Sequence, residues 1–374
     1  MNLGLLLRCL FACTLLIAQA VAEPELPVFR YAANIQVAHF PNHRLITVEN
    51  TYRNSSERYQ FALVPKASQA TLPEFAEGTL VIRTPVERVV AMTTTFVGFI
   101  DALDQQERVV GVTEPQFIHD PKIHEGLAEG RIQAVQTGAR LDIERMLRLK
   151  PELILTTTIG EGSFQVQPQL ARAGLPVALS AEYMETSPLA RAEWIKFVAA
   201  FFEADEEAEI IFDQIAKRYD TLLQRTEAVS QRPTVFCGAP YSGAWYVPGG
   251  KSYIAQFIKD AGGDYIWQSD TSAGGIPLDF ERVFRKGGMA DIWLDPSNYK
   301  NLEQLLQADG RFRKFKAYQE GKIYNNTAQM HPKGGNNIWE RGIVHPDEVL
   351  ADLISIFHPD RIPKHEWIYY ERLD

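Results

Sequence analysis

The sequence is poor in cysteine. Its 374 residues include three cysteines, and Cys9 and Cys13 lie in an apolar N-terminal segment. If that segment is removed on export, Cys237 is left alone, and a single cysteine forms no disulfide within the chain. Cys237 ends the apolar run TVFC. A buried cysteine acting as a small apolar residue is therefore expected there, rather than a catalytic thiol.

Positive charge and catalytic motifs are also scarce. The chain has 38 Lys and Arg against 47 Asp and Glu, a net charge of −9. This balance argues against nucleic acid or an anionic membrane surface as a partner. Residues 245–252 end like a phosphate-binding loop, but Trp245 stands where that motif needs its first glycine. Zinc-type H-E-x-x-H spacing, a Ser-His-Asp set and paired carboxylates are not evident, so we expect no enzyme.

Long apolar runs are confined to the N-terminus. Residues 10–21 are mostly apolar and small, and the A-x-A pattern ending at Ala22 predicts a signal peptide of residues 1–22. We expect export to the periplasm, cleavage after Ala22, and a soluble monomer as the mature chain. The sequence LFAC ending at Cys13 also resembles a lipoprotein box, which leaves lipidation of Cys13 open.

Two matching stretches organise the rest of the chain. Residues 141–155 (LDIERMLRLKPELIL) are echoed by residues 278–294 (LDFERVFRKGGMADIWL). In each copy an Asp precedes a short helix that it can cap, a Glu lies in the first turn, and an apolar strand follows. Acidic residues begin many helices, so chance is the competing explanation. The repeat favours two related lobes, each with one surface glutamate, Glu144 and Glu281.

Alternating strand and helix patterns predict an α/β fold. We expect two Rossmann-like lobes with parallel sheets, joined by a long rigid helix at residues 205–229, with a small N-terminal β extension. The predicted boundaries are residues 1–22 for the signal, 23–84 for the extension, 85–187 for the first lobe, 188–231 for the helical linker and 232–374 for the second lobe.

Polar and aromatic segments follow several predicted strands, where parallel sheets bind ligands. Facing lobes would form a cleft with aromatic walls, suited to a bulky ligand with an anionic part. The competing explanation is that threonines cap helices and tryptophans fill the core. The candidate ligand-binding residues are Thr93, Thr94, Thr95, Gln116, Phe117, Arg140, Thr158, Tyr241, Trp245, Trp267, Met330 and His331. A metal-ion site at His119, His124 and His331 is a weaker alternative, because these histidines have no ligand spacing.

The chain resembles the helical-backbone class of periplasmic solute-binding proteins that serve ABC importers of ferric siderophores, haem and cobalamin. The resemblance runs from about residue 85 to 359. It is carried by residues 88–112, by the first repeat copy, by WYVPGGKSYIAQFIKDAGGDYIW at 245–267 and by GGNNIWERGIVHPDEVLADLISIFHP at 334–359. It implies that Glu144 and Glu281 dock on arginines of the two permease subunits. It also implies that the cargo is a metal chelate.

The resemblance leaves the cargo open. Cobalamin binders usually have Trp before the glycine that precedes the first copy, and this chain has Thr137 before Gly138. Met330 and His331 would suit haem as axial ligands. Siderophore binders often use arginines and aromatic residues, which adds Arg341 to the candidates. A ferric siderophore is the leading expectation, with haem or cobalamin as alternatives, and an exported hydrolase as a rival of a different class.

Overall fold

The computed structural model describes residues 29–52, 55–138, 140–157 and 167–374. The predicted signal peptide with Cys13, and the candidate Thr158, lie outside these residues. Four sheets are present, and the two largest are mainly parallel. In the described part of the chain, no helix is long and apolar enough to cross a membrane.

The N-terminal extension forms its own sheet, in the order β1-β2-β3-β4. Its first three strands pair antiparallel, and β4 joins β3 in parallel. Phe61 packs against Phe197 and Phe201 of the linker helices, so the sheet shares a core with the rest of the molecule. The strands are β1 (Ile35–Phe40), β2 (His43–Glu49), β3 (Arg58–Pro65) and β4 (Leu80–Thr84).

Two buried carboxylates hold the segment before β1. Glu193 accepts hydrogen bonds from the backbone N–H groups of Arg30, Tyr31 and Ala32. Glu185 accepts from those of Ala33 and Asn34 in the same way. Because a buried carboxylate is costly unless it is hydrogen-bonded, these bonds fix the start of the extension onto the linker.

The first lobe (the N-lobe) is a six-stranded sheet in the order β10-β9-β5-β6-β7-β8. All neighbouring strands are parallel except the β7–β8 hairpin. Buried runs of Val, Ile and Leu make up its strands, as expected for a sheet covered on both faces. The elements are β5 (Val89–Ala91), α1 (Thr94–Ala102), β6 (Val109–Thr113), α2 (Pro121–Ala128), β7 (Gln133–Thr137), β8 (Arg140–Leu141), α3 (Ile143–Leu149), β9 (Leu153–Thr157), α4 (Gln167–Arg172) and β10 (Val177–Ser180).

Three helices join the lobes: α5 (Pro188–Ala192), α6 (Ile195–Phe202) and α7 (Asp205–Thr226). The sequence predicts one helix over 188–202, but the structure interrupts it at residues 193–194, where Glu193 turns to the N-terminal segment. With 22 residues, α7 spans about 33 Å. It packs on α6 through Phe212 and contacts the second lobe where the Tyr219 hydroxyl donates to Asp260 at 2.7 Å.

The second lobe (the C-lobe) has a five-stranded sheet, β14-β11-β16-β17-β18, and a separate antiparallel sheet, β12-β13-β15. In the larger sheet, only β18 is antiparallel to its neighbour. The elements are β11 (Thr234–Cys237), β12 (Pro240–Tyr241), β13 (Ala244–Pro248), α8 (Tyr253–Asp260), β14 (Asp264–Tyr265), β15 (Gly275–Leu278), α9 (Phe280–Gly287), β16 (Ile292–Leu294), α10 (Leu302–Ala308), α11 (Lys316–Gln319), β17 (Ile323–Asn325), α12 (Arg341–Val344), α13 (Pro346–Phe357) and β18 (Glu371–Arg372).

The two repeat copies occupy equivalent places in the two lobes. Each consists of a strand end, a capping Asp, a short helix and an interior strand of the parallel sheet, which is β9 in the N-lobe and β16 in the C-lobe. Asp142 accepts from the Arg145 N–H at 2.8 Å, and Asp279 accepts from the Arg282 N–H at 2.6 Å. The predicted α/β fold with two lobes and parallel sheets is confirmed.

Candidate ligand cleft and docking surface

Segments that follow strands of the two large sheets meet at one interlobe contact. The segment after β17, residues 326–340, leaves the C-lobe and contacts the N-lobe loops that follow β5 and β6. The Thr95 hydroxyl donates to the Trp339 carbonyl at 3.1 Å, and the rings of His119 and His331 are 5.7 Å apart. We call residues 326–340 the bridging loop. The two lobes therefore touch where the bridging loop meets the N-lobe segments that follow β5 and β6.

A buried glutamate fastens the bridging loop to the N-lobe. The Glu340 carboxylate accepts hydrogen bonds from the backbone N–H groups of His119 at 2.8 Å and Asp120 at 2.9 Å. Burial raises the pKa of Glu340 to about 7, although these two bonds favour the charged form, and the carboxylates of Asp120 and Asp101 raise it further. The interlobe contact thus contains a carboxyl group that titrates near neutral pH.

Close backbone approach at this contact requires glycine. A Cβ on Gly335 would lie 2.2 Å from the Phe117 carbonyl oxygen, and one on Gly98 would lie 2.3 Å from the Glu340 carbonyl oxygen. Both clashes are with backbone atoms, which cannot rotate away as a side chain can. Gly335, in the GG pair that begins the segment 334–359, is therefore required by the close approach of the two lobes.

Three histidines gather beside the bridging loop. The His331 ring is 5.7 Å from that of His119 and 6.3 Å from that of His124. Burial lowers the pKa of His119, and neighbouring His331 and His124 lower it further. The His124 Nε2 atom is engaged with the Ile118 carbonyl at 2.8 Å. Among the described residues, no group of three or more His, Cys, Asp or Glu side chains is arranged to hold a metal ion.

The N-lobe candidates divide between structural contacts and accessible surface. Thr93 caps α1 by accepting from the Phe96 N–H, and Thr95 is bonded to the bridging loop. Thr94 is half-buried at the first turn of α1. The candidates on or near the surface are Gln116, which donates to Glu114; Phe117, which is exposed beside Gly335; and Arg140, which is exposed on β8.

Two C-lobe candidates are withdrawn. Trp245 is 1% exposed and stacks among Phe236, Trp293 and Phe315, while its indole N–H donates to the Cys237 carbonyl at 3.0 Å. Trp267 is likewise buried. Alternation along β13 turns Trp245 towards the core. The aromatic pattern of this hairpin did not distinguish its buried face, which carries Trp245, from its exposed face.

The outer face of the same hairpin carries exposed aromatic residues. Tyr241 is 74% exposed, and Tyr246 is also exposed on the face opposite Trp245. The pairing of Tyr241 with Ala244 places both tyrosines on this face. Tyr246 was not among the candidates, although the period-2 pattern around Trp245 was sufficient to find it.

The remaining candidates lie in or next to the bridging loop. Met330 pairs with Asn336 as an isolated bridge, and His331 is half-buried at the interlobe contact. The Arg341 guanidinium forms a salt bridge with Glu348 at 2.6 Å, which argues against Arg341 as a ligand-binding residue. Sequence analysis missed the exposed Trp339. It also missed Glu340, because a carboxylate bound to distant backbone N–H groups leaves no local pattern.

Asp295 is a second missed acid, at the carboxyl end of β16. Asp295 is half-buried beside a small apolar cavity, and its Oδ1 atom is buried with no hydrogen-bond partner among the described residues. Burial raises the pKa of Asp295 to about 7. The nearby Cys237 thiol is also buried, and burial raises its pKa well above the usual value, which removes it as a nucleophile.

The two predicted docking acids are exposed on equivalent helices. The Glu144 side chain on α3 is 90% exposed, and that of Glu281 on α9 is 67% exposed. Glu144 has only a 4.0 Å contact to Arg148. Glu281 is 3.3 Å from Arg311, whose guanidinium stacks over Phe280. The two acids therefore differ, since Glu281 already has a cation beside it.

Two α/β lobes that meet at an interlobe contact, a connecting helix and one exposed acid on each lobe define a two-lobed solute receptor. The family model for the periplasmic binding protein matches residues 89–330. The chain belongs to this family, and the resemblance inferred from its sequence is confirmed.

A curated relative matches most of the chain, and solved structures share its fold. An uncharacterized lipoprotein of Methanocaldococcus jannaschii is 25% identical over 356 residues, which is 89% of this chain and 82% of that protein. A possible iron-binding periplasmic solute-binding protein of Staphylococcus epidermidis shares the fold with a TM-score of 0.56 at 17% identity, over 75% of this chain and 100% of that one. A periplasmic heme-binding protein of Pseudomonas aeruginosa shares the fold with a TM-score of 0.56 at 18% identity, over 77% of this chain and 98% of that one.

Proposed function

We propose that the chain is an extracytoplasmic receptor of an ABC importer that binds an iron complex in the cleft between its lobes. The observation that carries this proposal is the contact between segments that follow the parallel strands β5, β6 and β17, with one exposed glutamate on the equivalent helix of each lobe. Membership in the periplasmic binding protein family supports it. Glu144 and Glu281 would dock on the two subunits of the permease.

The cargo we propose is a ferric siderophore. A catecholate or hydroxamate chelate is bulky and partly aromatic, and the exposed rings of Tyr241, Tyr246 and Trp339 offer stacking surface for it. The likeness to a possible iron-binding protein supports iron as the metal. In this function the protein performs no covalent chemistry.

Haem is the second candidate, supported by a specific observation. His331 lies beside the cleft, and the chain shares its fold with a heme-binding protein. His331 or Met330 would then supply an axial ligand to the iron. Cobalamin is the third candidate and has no comparable support among the described contacts.

Tryptophan fluorescence of the chain from Glu23 onward, titrated with ferric siderophores, haemin and cobalamin, tests the proposal. The exposed Trp339 is the expected reporter, because the buried Trp245 and Trp267 are shielded from a ligand. Saturable quenching by a ferric siderophore that is lost in Trp339→Phe supports the leading cargo. A Soret band in the protein purified with its cargo would identify the cargo as haem instead of a siderophore. Failure of all iron complexes to bind would refute an iron-complex receptor.

Export is part of the proposal. Cleavage after Ala22 would release the mature chain, while the lipoprotein among its relatives supports anchoring through Cys13. Mass spectrometry of the N-terminus of the mature protein distinguishes the two, because lipidated Cys13 adds acyl chains and retains residues 14–22.

A further inference from the structure

The C-lobe presents a basic surface although the chain carries a net charge of −9. Helix α9 lies beside the 3-10 turn at Gly310–Lys314, since Arg311 stacks 3.8 Å over the Phe280 ring and the Lys316 N–H donates to the Gly288 carbonyl at 2.8 Å. Five exposed basic side chains belong to these two elements. They define the basic surface: Arg282, Arg285, Lys286, Arg313 and Lys314.

The charge of these five side chains is compensated only in part within the molecule, since Lys286 lies 5.9 Å from the Trp267 ring centroid and interacts electrostatically with Asp270. In the part of the chain that the structure describes, none of them lies within ion-pair distance of a carboxylate, whereas neighbouring Arg311 and Lys316 are both paired. Concentrated charge of one sign repels itself and attracts a surface of the opposite sign. The net charge of the whole chain, −9, argued against binding to an anionic membrane surface. It does not reveal the local excess of positive charge at the basic surface.

An exposed apolar residue accompanies the charges. Met289 follows α9 and is 78% exposed. Arg282 and Arg285 are spaced i and i+3, which is the spacing of one side of α9, and Met289 lies in the turn that follows the helix. Basic residues with a protruding apolar side chain are the composition of segments that lie in a membrane interface.

The N-lobe helix α3 has the same composition around its docking acid. Arg140, Arg148 and Lys150 are exposed there, and Leu147 is an exposed apolar residue on the same short helix. Each lobe therefore combines one acid for a permease with basic and apolar side chains around it. A docked receptor would have both helices directed at the plane of the membrane, an orientation that rests on the proposed function.

We propose that the basic surface binds the anionic phospholipid headgroups of the membrane in which the permease lies. Arg and Lys would contact headgroup phosphates, and Met289 would insert among the headgroups. This contact is weak, depends on ionic strength and needs neither cargo nor permease. It would hold the receptor near the membrane, so that Glu144 and Glu281 search for the permease in two dimensions.

Vesicle flotation tests this proposal with the chain from Glu23 onward, which carries no lipid anchor. Phosphatidylglycerol vesicles should bind it at low salt, pure phosphatidylcholine vesicles should not, and about 0.5 M salt should release it, because screening shortens to a few ångströms. Each basic residue near an anionic surface contributes roughly five-fold in affinity, so Arg285→Glu with Lys286→Glu should lose about 25-fold or more.

The matched control is Lys217→Glu with Lys259→Glu, the same charge change at exposed positions on α7 and α8. It should bind the vesicles far better than the basic-surface variant. Equal loss in the two double variants would overturn the proposal, as would absence of binding to phosphatidylglycerol. If only permease binding falls in the basic-surface variant, the partner is an acidic protein surface, and the lipid proposal is wrong. The vesicles contain neither permease nor cargo. A negative result in this assay is therefore distinct from a failure of the proposed receptor function.

Discussion

Glu340 should make the stability of the protein depend on pH in a defined window. The pKa of its carboxyl is about 7 in the folded chain against a usual value of 4.5, and burial is the main cause. The folded state therefore binds the Glu340 proton more tightly than the unfolded state does. The stabilisation that comes from protonated Glu340 is fully present below pH 4.5 and is lost as the pH rises towards 7.

The substitution Glu340→Gln removes this titration and keeps the shape of the protonated acid. A difference of about 2.5 pKa units corresponds to about 3 kcal/mol of folding free energy. Relative to the parent, the variant should therefore gain about 3 kcal/mol between pH 4.5 and pH 8. Other buried acids titrate in both proteins, so the difference between the two isolates Glu340.

Urea unfolding of both proteins at a series of pH values measures this difference. Glu125→Gln on α2 is the control, because its carboxylate is exposed and makes no interlobe bond. The control should follow the pH dependence of the parent. A stability difference between parent and Glu340→Gln that stays constant from pH 4.5 to pH 8 would refute the reasoning. It would mean that burial does not raise the pKa of Glu340 in the folded chain.

Four further predictions follow from the site. Glu144→Ala and Glu281→Ala should each lower transport in cells while cargo affinity is unchanged, since losing one partner of a desolvated charge pair costs roughly 2–5 kcal/mol; lost cargo binding in both would contradict docking. Trp245→Ala should destabilise the chain by about 3–5 kcal/mol in thermal unfolding. Tyr241→Ala should leave stability within about 0.5 kcal/mol but weaken cargo quenching. Gly335→Ala should displace the bridging loop and speed its hydrogen exchange, because the new methyl group meets backbone.

Sequence patterns were sufficient to predict elements that are specified by interactions between residues close together in the chain. Local signals specify the bounds of helix α13, because Pro346 begins it and an apolar pattern runs to Phe357 before His358-Pro359. Helix α7 was predicted three residues too long, at residues 205–229, because helix ends fray and its C-terminal cap is weak. The repeat was visible because a capping Asp, a first-turn Glu and a buried strand are each specified within a few residues.

The site was predictable only in part. Alternation along a strand says that Trp245 and Tyr246 face opposite ways, but not which side is covered; packing with Phe236 and Trp293 decided that. Arg341 could not be recognised as engaged until α12 and α13 placed Glu348 beside it. These choices depend on neighbours that are remote in sequence or lie on other elements.

The sequence alone determined the fold class, the repeated lobe, the connecting helix and the two exposed acids, since periodicity, caps and apolar runs specify each of them locally. Tertiary structure alone decided which aromatic residues reach the surface, how Glu340 ties the bridging loop to His119 and Asp120, and where charge accumulates. The basic surface shows the reason. Its members come from two segments about 25 residues apart, and only packing of α9 against the following turn brings their charges together.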